Sequence, residues 1–430
     1  MANPEDSAAP KQATSPCAVP NSFAPKTSRA PEALSGNTLI WILAALFATQ
    51  PIATDLYLAS LPALKTYFSV SGSAVQLTLG VYMLSFACSH LVVGPISDRF
   101  GRRPVVLIGA ALYLIGSLVG TFTPSFYGLL LARALQAIGA SCTVICARAL
   151  VRDLYEPRQA AGALSKAFML MSLVPLISPI LGGILQTQWG WRANFGLISL
   201  LSLLIFLASY RFLAETIPQK NPHATRSREV FSNYIELARS PILLTYTFAS
   251  TFSYACLFSF ISGSPFVMIE VLKVPTAYFG FCFAIVTLGF IVGSRFLQRN
   301  LARIGIDRSL RRGAFISIVS SSMLVLLALL KIQHLAAFLI PMFGLMVAHG
   351  FIQPSSQAGA IGPFPEKAGA AAALVGFIIY ILAAFVGSAV GASHDGTTLP
   401  LASIIFCMSL CCALTCTVFL KRLKNRKFAP

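Results

Sequence analysis

Long apolar runs recur along almost the whole chain, separated by short polar stretches. Twelve fall at 39–60, 75–96, 104–122, 126–148, 161–184, 193–213, 241–263, 276–297, 313–331, 334–357, 369–392 and 399–420. Each is near the roughly 20 residues that cross a hydrocarbon core about 30 Å thick. None alternates with a period of two, and lipid admits only helices and closed barrels. The pattern therefore predicts an all-α membrane protein with twelve transmembrane helices. The longest internal loop, 214–240, divides them into two six-helix halves, 38–213 and 241–420. A stretch around Gly101 is faintly echoed near Gly305, as expected for pseudo-symmetric halves with a site at their interface. Residues 1–37 are rich in Pro, Ala, Ser and Lys without periodicity and are predicted to be a disordered tail. Residues 421–430 form a short basic tail.

Composition agrees with this pattern. The chain is 56% hydrophobic and 11% charged, against about 25% charged in soluble domains. Its net charge of +18 would suggest a nucleic-acid partner in a soluble protein. The placement argues otherwise. With the N-terminus inside, 26 Lys and Arg fall in the tails and loops of the inner side. The other side holds four, namely Lys65, Arg192, Lys273 and Lys331. That asymmetry follows the positive-inside rule, so the charge is an orientation signal and both termini are expected in the cytoplasm. Ten cysteines show no disulfide framework. Cys407, Cys411, Cys412 and Cys416 lack a nearby His or carboxylate and are expected to act as small apolar residues rather than metal ligands.

Arg133 and Lys166 lie within apolar runs and complete the 32 Lys and Arg; of the charged residues in the runs, Asp55 and Arg133 are the functional candidates. Asp55 is near the end of the first, and an ionisable group in a span is a functional candidate. Desolvation favours its neutral form and a nearby cation its charged form, so alternation between such surroundings makes a proton carrier. The competing reading is a carboxylate at the outer water interface. Arg133 lies about eight residues into the fourth run. It keeps its charge and is expected to be the electrostatic partner in that cycle, or else a tether between helices. Gln136 lies one turn on and shares its face. Tyr57, Tyr82, Tyr254, Phe258 and Tyr380 are candidates, with Gln136, for lining a substrate cavity, although most of the 32 Phe and 12 Tyr must pack or face lipid. His90 and His349 are either proton shuttles or hydrogen-bonded within the bundle.

Between the second and third runs stands Gly94-Pro95-Ile96-Ser97-Asp98-Arg99-Phe100-Gly101-Arg102-Arg103-Pro104. Gly101 permits a sharp reversal, and Asp98 can pair with Arg102. The fifth run carries Pro175, Pro179, Gly182 and Gly183: Pro kinks a helix and Gly lets helices approach closely. No phosphate-binding loop, zinc-helix motif or nucleophile motif is present, and the chain does not read as an enzyme.

The turn between the second and third runs resembles the signature of the major facilitator superfamily. Further segments narrow the likeness: Asp55-Leu56-Tyr57-Leu58-Ala59-Ser60-Leu61-Pro62, Arg133-Ala134-Leu135-Gln136, Arg148-Ala149-Leu150-Val151-Arg152-Asp153, Trp191-Arg192 and Glu215-Thr216. Together these resemble the Bcr/CflA-type branch of twelve-span drug:proton antiporters. Ala59 stands where that branch usually has Pro. The resemblance implies coupling at Asp55. It also implies a cytoplasmic gate of Gly94, Asp98, Arg99, Gly101, Arg102 and Arg103, with Asp153 as its partner at the end of the fourth helix. Pro175, Pro179, Gly182 and Gly183 would mark an antiporter helix.

The expected function is proton-driven export of small, largely apolar drugs from a bacterial cytoplasm, in the inner membrane, with the proton as coupling ion and no cofactor. A functional monomer is expected, with partners limited to substrate and lipid. Export of a native metabolite, siderophore or sugar is the alternative, and a non-transporting sensor ranks lower. One proton suffices energetically. At about 150 mV it supplies about 3.5 kcal/mol, enough for roughly a 300-fold gradient of a neutral substrate.

Overall fold

The computed structural model describes residues 36–217, 220–421 and 423. Of the predicted N-terminal tail only Gly36 and Asn37 fall within this range, at the start of the first helix; most of the basic C-terminal tail also lies outside it.

Twelve helical spans are long and apolar enough to cross a membrane among the described residues, as the apolar runs predict. The first span contains α1 (Gly36–Asp55), a tight turn of helix at Leu58–Ser60, and α2 (Leu61–Tyr67). The next three are α3 (Gly72–Phe100), α4 (Arg102–Phe122) and α5 (Phe126–Leu154). The fifth is split into α6 (Pro157–Met171) and α7 (Val174–Trp189), and α8 (Trp191–Phe212) completes six. A short helix, α9 (Ser227–Ala238), lies in the central segment. The second half contains α10 (Pro241–Pro265), α11 (Thr276–Ile304), α12 (Ile306–Leu329), α13 (Leu335–Ile361), α14 (Ala368–Ser393) and α15 (Leu399–Leu414). A wider-pitched segment, Phe266–Val271, extends α10, and Thr415–Phe419 extends α15.

Proline and glycine write the interruptions. Pro51 inside α1 removes one backbone donor, and Pro62 opens α2; the first span breaks between them. Pro175 at the start of α7 does the same for the fifth. Gly101 joins α3 to α4 at φ +108°, and Gly305 joins α11 to α12 at φ +75°. These left-handed single-residue joints sit at matching places in the two halves.

The helical spans often outrun the apolar runs. The first continues to Tyr67, and α3 and α5 each have 29 residues. At 1.5 Å per residue such a helix is about 43 Å long and projects beyond the hydrocarbon core. Hydropathy marks only the part solvated by lipid.

Packing turns small and polar residues inward. α8 buries Asn194, Ser199, Ser202 and Ser209 while Leu200, Leu203, Leu204 and Leu207 point outward. Lipid tails are as apolar as Leu, so close packing and interhelical hydrogen bonds decide which face turns in. Within the first half α4 packs on α5 and α8; in the second α12 packs on α13 and α15. The halves meet along two seams, α3 against α14 and α7 against α11.

Candidate functional site

Asp55 is the last residue of α1, at the break in the first span, and is buried at 4% exposure. Twelve residues separate it from the end of the span at Tyr67, roughly 18 Å at the helical rise. It is thus buried within the bundle and away from the end of the helical span, near which the competing reading puts it. The apolar run ends near residue 60 because the more polar continuation of the helix to Tyr67 does not score as hydrophobic. Thr54 Oγ1 donates to Asp55 Oδ1 at 2.8 Å, and Tyr254 from the other half lies within electrostatic reach.

Arg133 is fully buried on α5. Its guanidinium lies between two tyrosine rings, 4.4 Å from the centroid of Tyr57 and 4.4 Å from that of Tyr82. Nη1 donates to the carbonyl of Ala53 at 2.8 Å and to Gln136 Oε1 at 2.7 Å. Nε donates to the carbonyl of Thr78 at 3.4 Å. Gln136 in turn donates to Ser117 Oγ at 2.9 Å. The carbonyl of Ala53 belongs to the last turn of α1, where helix ends leave acceptors open; Arg133 thus holds the break beside Asp55. No carboxylate lies within ion-pair distance of Arg133 among the described residues, and its Nη2 has no hydrogen-bond acceptor. The charge is balanced by carbonyls and ring faces.

The halves part on the face that carries Gly101 and the clustered basic residues. A cavity of about 680 Å³ lies there between α3, α5, α13 and α14, under α9. Its wall includes His90, Asp98, Arg148 and Arg152 from the first half and Gln357 and Gly369 from the second. His90 stands 5.3 Å from the ring of Tyr380, which lies 5.4 Å from Tyr254.

The opposite face is closed. A Cβ on Gly182 would fall 1.8 Å from the carbonyl oxygen of Leu56, and one on Gly183 would fall 2.7 Å from that of Thr276. α7 thus presses on the first-span break with one glycine and on the other half with the next. Gly280 of α11 returns the contact: a Cβ there would fall 2.3 Å from the backbone of Ile180. Ser262 donates to Gln76 across the seam at 2.8 Å. Lys65 pairs with Glu270 at 3.3 Å, and His394 Nε2 lies 3.8 Å from the same carboxylate.

The charged turn is a network of the first half and the central segment that follows it. Arg102 binds Asp98 at 2.6 Å, Asp153 at 3.0 Å and Ser97 Oγ at 2.5 Å. Asn221 donates its backbone N–H to the carbonyl of Asp98 at 3.1 Å. Arg99 donates to Thr225 Oγ1 at 2.6 Å, and Gly94 lines the cavity. Arg103 donates to the carbonyl of Tyr210 at 3.1 Å. Glu215 completes the network: its carboxylate accepts from the backbone N–H of Arg102 at 2.9 Å and of Arg103 at 3.3 Å. It caps the positive end of α4 and crowds Gly101, where a Cβ would fall 2.2 Å from Glu215 Oε2. In the sequence Glu215-Thr216 reads only as part of the family likeness, without this role. The available signal was an acidic residue just after the sixth span, free to reach a helix start.

The residues named for the substrate cavity divide. Tyr57, Tyr82 and Gln136 are enclosed around Arg133, and Phe258 is buried against Tyr254 and Gly387. None of the four lines the cavity in this conformation, because Arg133 and the helix seams occupy their faces. Tyr254 and Tyr380 are only partly buried and stand beyond His90. His349 bonds Ser253 at 2.9 Å within the second half. Ala59 is buried in the turn after the break.

Residues 41–388 match the model of the Major Facilitator Superfamily. A bicyclomycin resistance protein homolog of Haemophilus influenzae is 29% identical over 387 residues, covering 88% of this chain and 95% of its own. A chloramphenicol resistance protein of Pseudomonas aeruginosa is 28% identical, covering 84% of each. A peptide transporter solved with sulfate shares the fold at a TM-score of 0.73 and 12% identity, over 90% of this chain and 94% of that one. With twelve spans in this arrangement, the chain belongs to the Major Facilitator Superfamily, is a multi-pass membrane transporter rather than an enzyme, and fits that superfamily's Bcr/CflA-type branch.

Proposed function

We propose that this protein is a proton-driven antiporter that exports drug-sized molecules from the bacterial cytoplasm across the inner membrane by alternating access. The resistance proteins it resembles support export of phenicol-like, bicyclomycin-like or several such compounds. The basic face is the cytoplasmic one, since Lys and Arg concentrate there. The conformation described here is then open to the cytoplasm and sealed toward the outside.

The observation that carries the coupling is Asp55: a carboxylate buried at a helix break, with a neighbouring hydroxyl as hydrogen-bond partner and no cation within ion-pair distance among the described residues. A buried charge without a partner is costly, so in this conformation Asp55 carries its proton. Opening the opposite face admits water and lets the proton pass. Arg133 keeps a fixed positive charge two residues from Asp55 in the same break, through Ala53. Asp98, Arg102, Asp153 and Glu215 brace the cytoplasmic end of the first half so that it moves as one body. In α7, Pro179 and Gly183 meet α11 in the outer seal, Gly182 seats the helix on the first-span break and Pro175 opens it, in keeping with an antiporter helix.

The test uses purified protein in vesicles with an imposed pH gradient and an internal pH dye. Adding chloramphenicol, florfenicol or bicyclomycin is expected to move protons, and Asp55→Asn is expected to abolish that movement while leaving a folded, inserted protein. Equal proton movement in the Asn variant would overturn the assignment.

A further inference from the structure

The charges around the cavity do not cancel. Asp98 is its one lining carboxylate among the described residues, and Arg102 holds it at 2.6 Å. Arg152 lies 3.9 Å from Asp153, which also serves Arg102. At the rim Glu236 of α9 is taken by Lys367 at 2.5 Å. Arg148 remains. It projects from α5 one turn before Arg152, on the same face. It is exposed to the cavity and has no carboxylate within ion-pair distance among the described residues. It lies within electrostatic reach of His90 and Tyr380, one from each half.

An orientation anchor does not account for Arg148. Such residues reach lipid headgroups from the outer rim of a bundle, whereas Arg148 faces the seam between halves. Among the described residues the second half lines the cavity without an acid: Gln357 of α13, and Gly369, Ala370, Ala372 and Ala373 at the positive end of α14. A cavity of about 680 Å³ is of drug size. Within it one guanidinium is uncommitted, small residues leave room beside it, and aromatic rings stand at the inner end.

Resting on the export reading, we propose that this cavity selects an anionic cargo: a drug-sized molecule whose carboxylate is held by Arg148 and whose rings lie toward His90 and Tyr380. Arg presents a planar fork that matches a carboxylate, and its charge repels cations. Exchange of such an anion for an entering proton moves two charges in the same sense, so an inside-negative potential drives the cycle on both legs.

The experiment measures equilibrium binding of three probes to the purified full-length protein: neutral chloramphenicol, its hemisuccinate, which adds a carboxylate to the same scaffold, and cationic ethidium. The hemisuccinate is expected to bind about tenfold or more tightly than chloramphenicol, as a hydrogen-bonded charge implies, and ethidium not to saturate. Arg148→Gln should bring the ratio of the two Kd values to about one, Arg148→Lys should recover part of it, and Arg148→Glu should favour ethidium. Thermal melting of each variant reports folding. Equal affinities in the wild type, an unchanged ratio in Arg148→Gln, an equal effect of Arg152→Gln, or no saturable binding of the hemisuccinate would each overturn the proposal. The two readings fail separately. Charge-selective binding without proton movement in vesicles removes the antiport and keeps the anion site; proton movement with chloramphenicol and no charge preference does the reverse.

Discussion

At the scale of single residues, Arg133 shows how a buried charge persists without an acid. Three hydrogen bonds and two ring faces surround it, and a desolvated cation over a ring is worth about 2 kcal/mol. A double-mutant cycle of Arg133→Met with Tyr82→Leu, read from unfolding in detergent, should therefore give a coupling of about 2 kcal/mol. Tyr82→Phe should preserve it, because the Tyr82 hydroxyl has no hydrogen-bond partner and only the ring faces the charge. A coupling near zero would mean that the carbonyls alone hold Arg133. The position of this cation inside a span is legible from sequence, since a charge interrupting an apolar run is conspicuous, and so is its neighbour Gln136 one turn away. Its cage is not. Tyr57 and Tyr82 lie 76 and 51 positions from Arg133, and nothing in a tyrosine's local surroundings distinguishes a ring packed on a guanidinium from one lining a cavity.

At the scale of elements, prolines and glycines carry more information than hydropathy does. The apolar runs give the number of spans because lipid forces every backbone polar group into a helix. They do not give the ends, the break after Asp55 or the packing of α9 over the cavity, where lipid imposes no such rule. The adjacent glycines of α7 separate two roles. A valine at 182 would drive into the carbonyl of Leu56 within the same half, at 1.8 Å from the first added carbon. Gly182→Val should lower thermal stability. A valine at 183 meets the carbonyl of Thr276 in the other half at 2.7 Å from the first added carbon, so Gly183→Val should leave each half folded and part the closed face. The check is the rate at which an impermeant maleimide reaches Gln76→Cys from that face, in a chain whose native cysteines are replaced. Gln76 is buried beneath the seal. A clash of about 1.4 kcal/mol on the closed state should raise labelling about tenfold, and an unchanged rate would show that α7 and α11 are not the seal.

At the scale of the whole molecule, alternation requires that the contacts closing one face be ones that can be given up. The charged turn bonds to its own half and to the central segment after it, so it stiffens that body and makes no bond to the second half in this conformation among the described residues. The ties across the closed face are the close packing of α7 on α11 at their glycines and two polar contacts, Lys65 to Glu270 and Gln76 to Ser262. A half-exposed ion pair contributes little net stability, which suits a contact that the proposed cycle would have to break. Holding that face shut should therefore stop transport while sparing access from the basic face. Cysteines at 65 and 270, in the cysteine-replaced background and joined by a short bifunctional thiosulfonate, should abolish substrate-dependent proton movement in vesicles. The linked protein should still bind cargo presented from the basic face, and a reductant should restore transport. Undiminished transport by fully linked protein would mean that this face does not open where Lys65 and Glu270 meet, and the alternating cycle would need a different exit.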